Sequence, residues 1–158
     1  MGYLIQLNAT DIIKAAHAAL YCQINYYSEN RVKPRDPAKL LEGWMAQQAV
    51  GKYHYGDAKY DVNDWIHTGK GDCPSGHEIR SSVVKTLWIS PSDKLDQKYW
   101  LVMPVKDNRF WLLGEIHRQD IREHEIASTK REGATFVFYD QLLPFIRDVH
   151  EPSGRMSA

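Results

Sequence analysis

The chain has 158 residues, 43% hydrophobic and 25% charged, with a mean hydropathy of −0.52, which fits one globular domain with its own core. Basic and acidic residues balance at 20 each, so no overall positive field marks a non-specific nucleic-acid coat, although a local basic groove stays open. Nothing approaches the roughly 18 apolar residues of a membrane helix, and two cysteines without a basic-then-apolar leader imply a reducing, intracellular and cytoplasmic setting.

Residues 1–150 read as a single domain and 151–158 as a flexible tail. Tyr3 to Leu7 is a short extended segment. Asn8 or Thr10 can cap a helix running from Asp11 to Tyr27, with Ile12, Ile13, Ala16, Ala19, Leu20 and Ile24 at helical spacing and His17 among them. Ser28 to Asp36 is a polar loop with Arg31, Lys33 and Arg35. Such a loop is either solvated or in contact with phosphates. Asp36-Pro37 starts a second helix, since Asp caps and Pro suits the first turn.

That helix, to Tyr53, is apolar around most of its circumference and carries Gln47 and Gln48. Either both are structural amides with partners, or one faces a polar site. Glu42 lies roughly 140° from Gln47 around the axis, so the two cannot share a small site. Lys59 to His67 alternates weakly and reads as a strand with Asp61 and Asp64 on it. His77 to Ser90 reads as one long strand. Tyr99–Val105 and Phe110–Ile116 follow as strands joined at Lys106-Asp107-Asn108-Arg109. Gly114 suggests a bulge or a close approach of backbones. Arg118 to Ile126 reads as a short helix, Ala134 to Tyr139 as a strand, and Gln141 to Ile146 as a closing helical turn. This order implies an α+β fold, with N-terminal helices packed on a mixed, mainly antiparallel sheet.

The stretch Gly71-Asp72-Cys73-Pro74-Ser75-Gly76-His77-Glu78-Ile79-Arg80 concentrates candidate chemistry. Period-2 geometry puts Glu78 and Arg80 on one strand face, and a folded turn can bring Asp72 alongside. Two carboxylates and a cation can hold a hard metal against a phosphate. A solvated turn before an edge strand would look the same. Cys73, His77 and His67 fall short of a zinc-finger spacing, with Cys22 far away. Cys73 with His77 as base would be a covalent alternative. Phosphate-loop, dinucleotide and hydrolase-elbow motifs are absent from the sequence.

The order of elements and this central stretch resemble the PD-(D/E)XK nuclease superfamily, in particular small phage and mobile-element members. The resemblance extends from Leu7 to Pro144. Asp72 takes the first motif acid and Glu78-Ile79-Arg80 the E-x-K position, and Gln47 stands where the preceding helix often carries Glu. The resemblance implies a restriction-endonuclease-like core, a metal-dependent DNA endonuclease, and Mg²⁺ or Mn²⁺ held by Asp72 and Glu78. It gives Arg80 the scissile phosphate and Gln47 a water or ligand. Asp61 or Asp64 is the alternative to Asp72. Two departures matter: arginine stays charged where lysine can lose its proton, and Gln47 brings no charge. Lys85 falls on the opposite strand face from Glu78. An inactive DNA-binding module, or a phage-encoded interaction or inhibitor protein, is therefore the alternative. DNA is the expected partner, no membrane is expected, and a homodimer is open.

Overall fold

The computed structural model describes residues 2–28, 36–56, 60–64, 76–82, 86–89, 93–121, 127–128 and 135–138. The sequence-predicted features at Arg31, Lys33, Arg35, His67, Asp72, Cys73, Lys85, Gln141–Ile146 and the 151–158 tail lie outside them. The fold is α+β. A strand, β1 (Tyr3–Gln6), precedes helices α1 (Ala9–Ser28) and α2 (Pro37–Tyr55). Strands β2 (Glu78–Ser81), β3 (Thr86–Ile89), β4 (Lys98–Val105), β5 (Arg109–His117), β6 (Ala127–Ser128) and β7 (Thr135–Phe138) follow.

Both helices begin where capping chemistry dictates. Asn8 Oδ1 accepts from the Asp11 backbone N–H at 2.9 Å, while Asp11 Oδ2 accepts from the Asn8 N–H at 3.0 Å. This reciprocal box satisfies two donors that a helix start leaves open. Asp36 Oδ1 accepts from the Ala38 N–H at 3.0 Å ahead of Pro37. At the far end of α2, Gly56 takes φ 86° and its N–H reaches the Lys52 carbonyl, a positive backbone angle that suits glycine.

One sheet has the order β1-β5-β4-β2, with β2 parallel to β4 and the other pairs antiparallel. The second has the order β3-β7-β6 and is antiparallel. The β4–β5 hairpin turns through Asp107 and Asn108 at φ 63° and 56°, a backbone region these two residue types tolerate better than most. Helices cover one face of the first sheet, where Ala15, Met45, Ala46, Ala49 and Val50 pack on Ile79, Trp100, Val102, Phe110 and Leu112. On the other face Leu101, Ile116 and Ile121 pack with Leu87 and Ile89 of β3. β4, apolar from Tyr99 to Val102 and buried throughout that run, is the layer between two cores.

Three sequence expectations change here. The single strand from His77 to Ser90 is two strands in different sheets, because the Ser82 N–H still bonds the Val102 carbonyl at 3.1 Å whereas Leu87 and Ile89 join β7. Within Lys59–His67, the described Val62–Asp64 segment is a 3-10 turn, not a strand. Arg118–Asp120 is likewise a 3-10 turn, and 122–126 lie outside the described residues.

The helices are locked by a buried polar knot. Gln48, fully buried, donates to Asp11 Oδ1 (3.2 Å) and to the Tyr60 carbonyl (3.1 Å), and accepts from the Val62 N–H (3.1 Å). Lys52 Nζ donates to Asp11 Oδ2 (2.9 Å) and to the Gln6 carbonyl (3.0 Å). Burial alone would raise the Asp11 carboxyl. Bonds from Lys52, the Asn8 backbone and Gln48, with the Lys52 charge, hold it below its ordinary value instead. Gln48 is thus the satisfied structural amide of the glutamine pair. Gln48→Ala should cost about 2–4 kcal/mol, the sum of a cavity and stranded partners. Urea unfolding checks this; a loss below about 0.5 kcal/mol would show that the knot does not matter.

Candidate functional site

A bulge in β5 decides which side chains meet. Leu101 pairs with Gly114 but Val102 pairs with Leu112, leaving Leu113 without a partner on β4. Gly114 takes φ 154°, a value L side chains rarely adopt. The extra residue reverses the inside–outside parity of the strand. Leu112 therefore belongs to the helix-side core and Ile116 to the other, although simple alternation would put both on one face. Glu115, opposite Trp100, is turned to the helix side, and His117 with it.

There Glu115 meets two imidazoles. Its Oε1 contacts His77 Nε2 at 2.5 Å and His117 Nε2 at 3.0 Å. Burial would raise the Glu115 carboxyl, but the His77 and His117 bonds and charges outweigh it and hold it below the ordinary value. An ionised carboxylate only accepts, so both imidazoles present a protonated Nε2 to it. His54, in the last turn of α2, sets its ring edge-on to Trp100 at 4.8 Å, and His77 lies 5.7 Å from the same indole. His54 Nε2 is buried without a hydrogen-bond partner among the described residues. Burial, then the neighbouring His77, push its pKa below 6.5 against the opposing pull of Glu115.

The opposite face of the sheet carries Glu78 and Arg80. Strand β2 alternates as expected: Ile79 enters the helix-side core, and Glu78 and Arg80 face the other way, opposite Tyr99 and Leu101 of β4. Arg80 Nη1 stands 3.7 Å from Glu78 Oε2, and Nη2 stands 3.8 Å from Asp93 Oδ2. The guanidinium lies over the Tyr99 ring at 5.6 Å. The Tyr99 hydroxyl donates to Asp93 Oδ2 at 2.7 Å. Its pKa is raised by burial, then by Asp93, with Arg80 and Arg118 opposing. Arg80 Nε and Arg118 Nε are both buried without an acceptor among the described residues.

The sequence-predicted residues thus divide. Glu78 and Arg80 are brought together, half-buried. Gln47 stands on α2, on the helix side, across the sheet from them. Asp64 ends the Val62–Asp64 3-10 turn and Asp61 immediately precedes it, in a segment that packs on Ala18 of α1 and Trp44 of α2 through Tyr60 and Val62. Asp61 Oδ1 accepts from the Asn63 backbone (2.9 Å) and side chain (2.7 Å). His77, weighed from sequence as a zinc ligand or as a base for Cys73, is bonded to Glu115.

Comparison of the chain with protein-family models, with curated proteins and with solved structures finds no match.

Sequence reasoning passed over Asp93, Arg118, His54 and the pairing of Glu115 with His117. Glu115-x-His117 has the same period-2 spacing as Glu78-x-Arg80, and Gly114 beside it was the signal that its face would be reset.

The histidine face makes a prediction about pH. His54 is held below 6.5 in the fold, so just below that pH the unfolded chain takes a proton that the folded chain refuses. Its contribution to stability is whole above 6.5 and falls as pH drops through the lower folded value. Glu115 acts with the same sign at lower pH, since its contribution is whole above 4.5 and is lost below. Urea midpoints between about pH 7.5 and about pH 5.5 should therefore fall more steeply for the parent than for His54→Gln. Equal slopes would remove His54 from the account.

Proposed function

We propose that the protein is a metal-dependent DNA endonuclease that hydrolyses phosphodiesters at the Glu78–Arg80 face, on a restriction-endonuclease-like core. The observation that carries this proposal is the pair of buried guanidinium Nε–H groups left without an acceptor among the described residues: that of Arg80, beside half-exposed Glu78, and that of Arg118, whose charge acts on the same Tyr99 hydroxyl as Arg80. Buried donors call for an acceptor, and a phosphate oxygen is the acceptor a guanidinium fits best.

Magnesium fits the acids on this face. It takes one or two carboxylates and keeps several waters. The 3.7 Å pair with Arg80 is loose enough to leave the Glu78 carboxylate accessible. Among the described residues no three His, Cys, Asp or Glu side chains are grouped to hold a metal. Glu78 would hold the ion with Asp72, which lies outside the described residues. When bound, the metal would lower the pKa of water and neutralise phosphate charge. Arg80, permanently charged, holds the phosphate and cannot serve as a base. Asp93 and the Tyr99 ring fix where its guanidinium stands. Gln47, across the sheet, takes no part.

A binding module without turnover is the second reading. It is favoured by Arg80 at the lysine position and by the engagement of Arg80 with both Glu78 and Asp93.

Incubation of supercoiled plasmid with Mg²⁺ or Mn²⁺ tests the proposal. The parent should nick or linearise it, chelation should stop it, and Glu78→Gln should slow it at least about 100-fold while leaving DNA binding intact. Arg80→Ala should weaken binding as well as cleavage. Binding without cleavage by the parent would support the binding module. Neither activity would dismiss both and favour an interaction protein.

A further inference from the structure

The first helix is turned inside out. Its buried side carries Ala15, Ala18 and Ala19, with Ile12 packed partly against the helix-side core, whereas four bulky residues face water: Ile13 is 55% exposed, Leu20 60% and Ile24 59%, with Tyr21 at 43%. A solvated helix face is ordinarily charged. Between Ala15 and Ser28 the sequence has no Asp, Glu, Lys or Arg at all. A contiguous apolar and uncharged face of this kind marks an interface.

The spacing indicates what covers it. Ile13, His17, Leu20 and Ile24 follow one another at intervals of four, three and four, the a/d rhythm of a helix-to-helix seam. That series reads the same in both directions. A two-fold axis across the helix between Ala18 and Ala19 sets Ile13 against Ile24 of a second copy, His17 against Leu20, and small Ala16 against large Tyr21. Ala16 and His17 are exposed on this same face. A closed two-fold contact requires such self-complementarity. The missing charges also allow the face to meet itself without like-charge repulsion.

We propose that α1 pairs antiparallel with α1 of a second copy of this chain. The seam from Ile13 to Ile24 spans only about 16 Å of helix, so the dimer is concentration-dependent and not obligate.

Sedimentation of the full chain between about 1 and about 200 µM tests this. The mass of the parent should climb from one chain toward two. Leu20→Glu, at an exposed position and with an unchanged thermal melt, should remain a single chain throughout. Ile13→Glu and Ile24→Lys should each weaken association at least about tenfold, and the double variant should regain it, because antiparallel pairing sets the two positions against each other. A parent that stays monomeric at every concentration overturns the proposal, as does a Leu20→Glu variant that associates like the parent. A double variant no tighter than the single ones overturns the antiparallel pairing. None of these readouts depends on nuclease activity.

Discussion

The bulge at Leu113 and Gly114 is the constraint on which the functional geography depends. In a regular strand Glu115 and His117 would leave the helix side, and the apolar residues after Leu112 would be dealt to the wrong cores. The unpartnered Leu113 resets the parity once. Phe110 and Leu112 then serve the helix-side core, Ile116 serves the core shared with β3, and a carboxylate arrives between two imidazoles. The cost is a residue at a backbone angle that glycine supplies most readily.

The helix layer is held by a polar device of equal economy. Asp11 caps α1, receives Lys52 and Gln48, and so ties the start of one helix to the second half of the other. Gln48 passes the connection on to Tyr60 and Val62. Because α2 is fixed in this way, His54 in its last turn is delivered to Trp100, where it meets the His77 and Glu115 that β2 and β5 provide. Two polar groups of different character thus lie back to back across the sheet: imidazoles around a carboxylate on the helix side, and carboxylates around a guanidinium on the other. Neighbouring residues His77 and Glu78 belong to opposite groups.

The parts of this arrangement that were legible in sequence have local causes. Asn8, Asp36-Pro37 and Asp107-Asn108 announce helix starts and a hairpin because capping and left-handed turns are properties of a few adjacent residues. The Glu78–Arg80 pairing follows from strand period alone. Gly114 announced a bulge. Its consequence for Glu115 and His117 was not legible, because face assignment after a bulge depends on which β4 residue is skipped. Asp93 joins the Glu78 face through the Tyr99 hydroxyl and Arg80, and Arg118 acts on the same hydroxyl through its charge, relations that no spacing encodes. The run from His77 to Ser90 carries strand-like residues throughout, and nothing in its pattern says that its second half leaves for another sheet. Apolar periodicity identified α1 correctly but did not reveal that Ala15, Ala18 and Ala19 would be buried while Ile13, Leu20 and Ile24 face water.

The separation of the two faces is the central claim, and nitrogen NMR of the histidine rings with the arginine side chains tests it most directly. Replacing Glu115 by Gln should move the His77 and His117 ring resonances together and leave the Arg80 Nε signal where it was. A variant in which Arg80 Nε shifts while the two imidazoles do not respond would contradict the parity reversal at Leu113, and with it the placement of both groups.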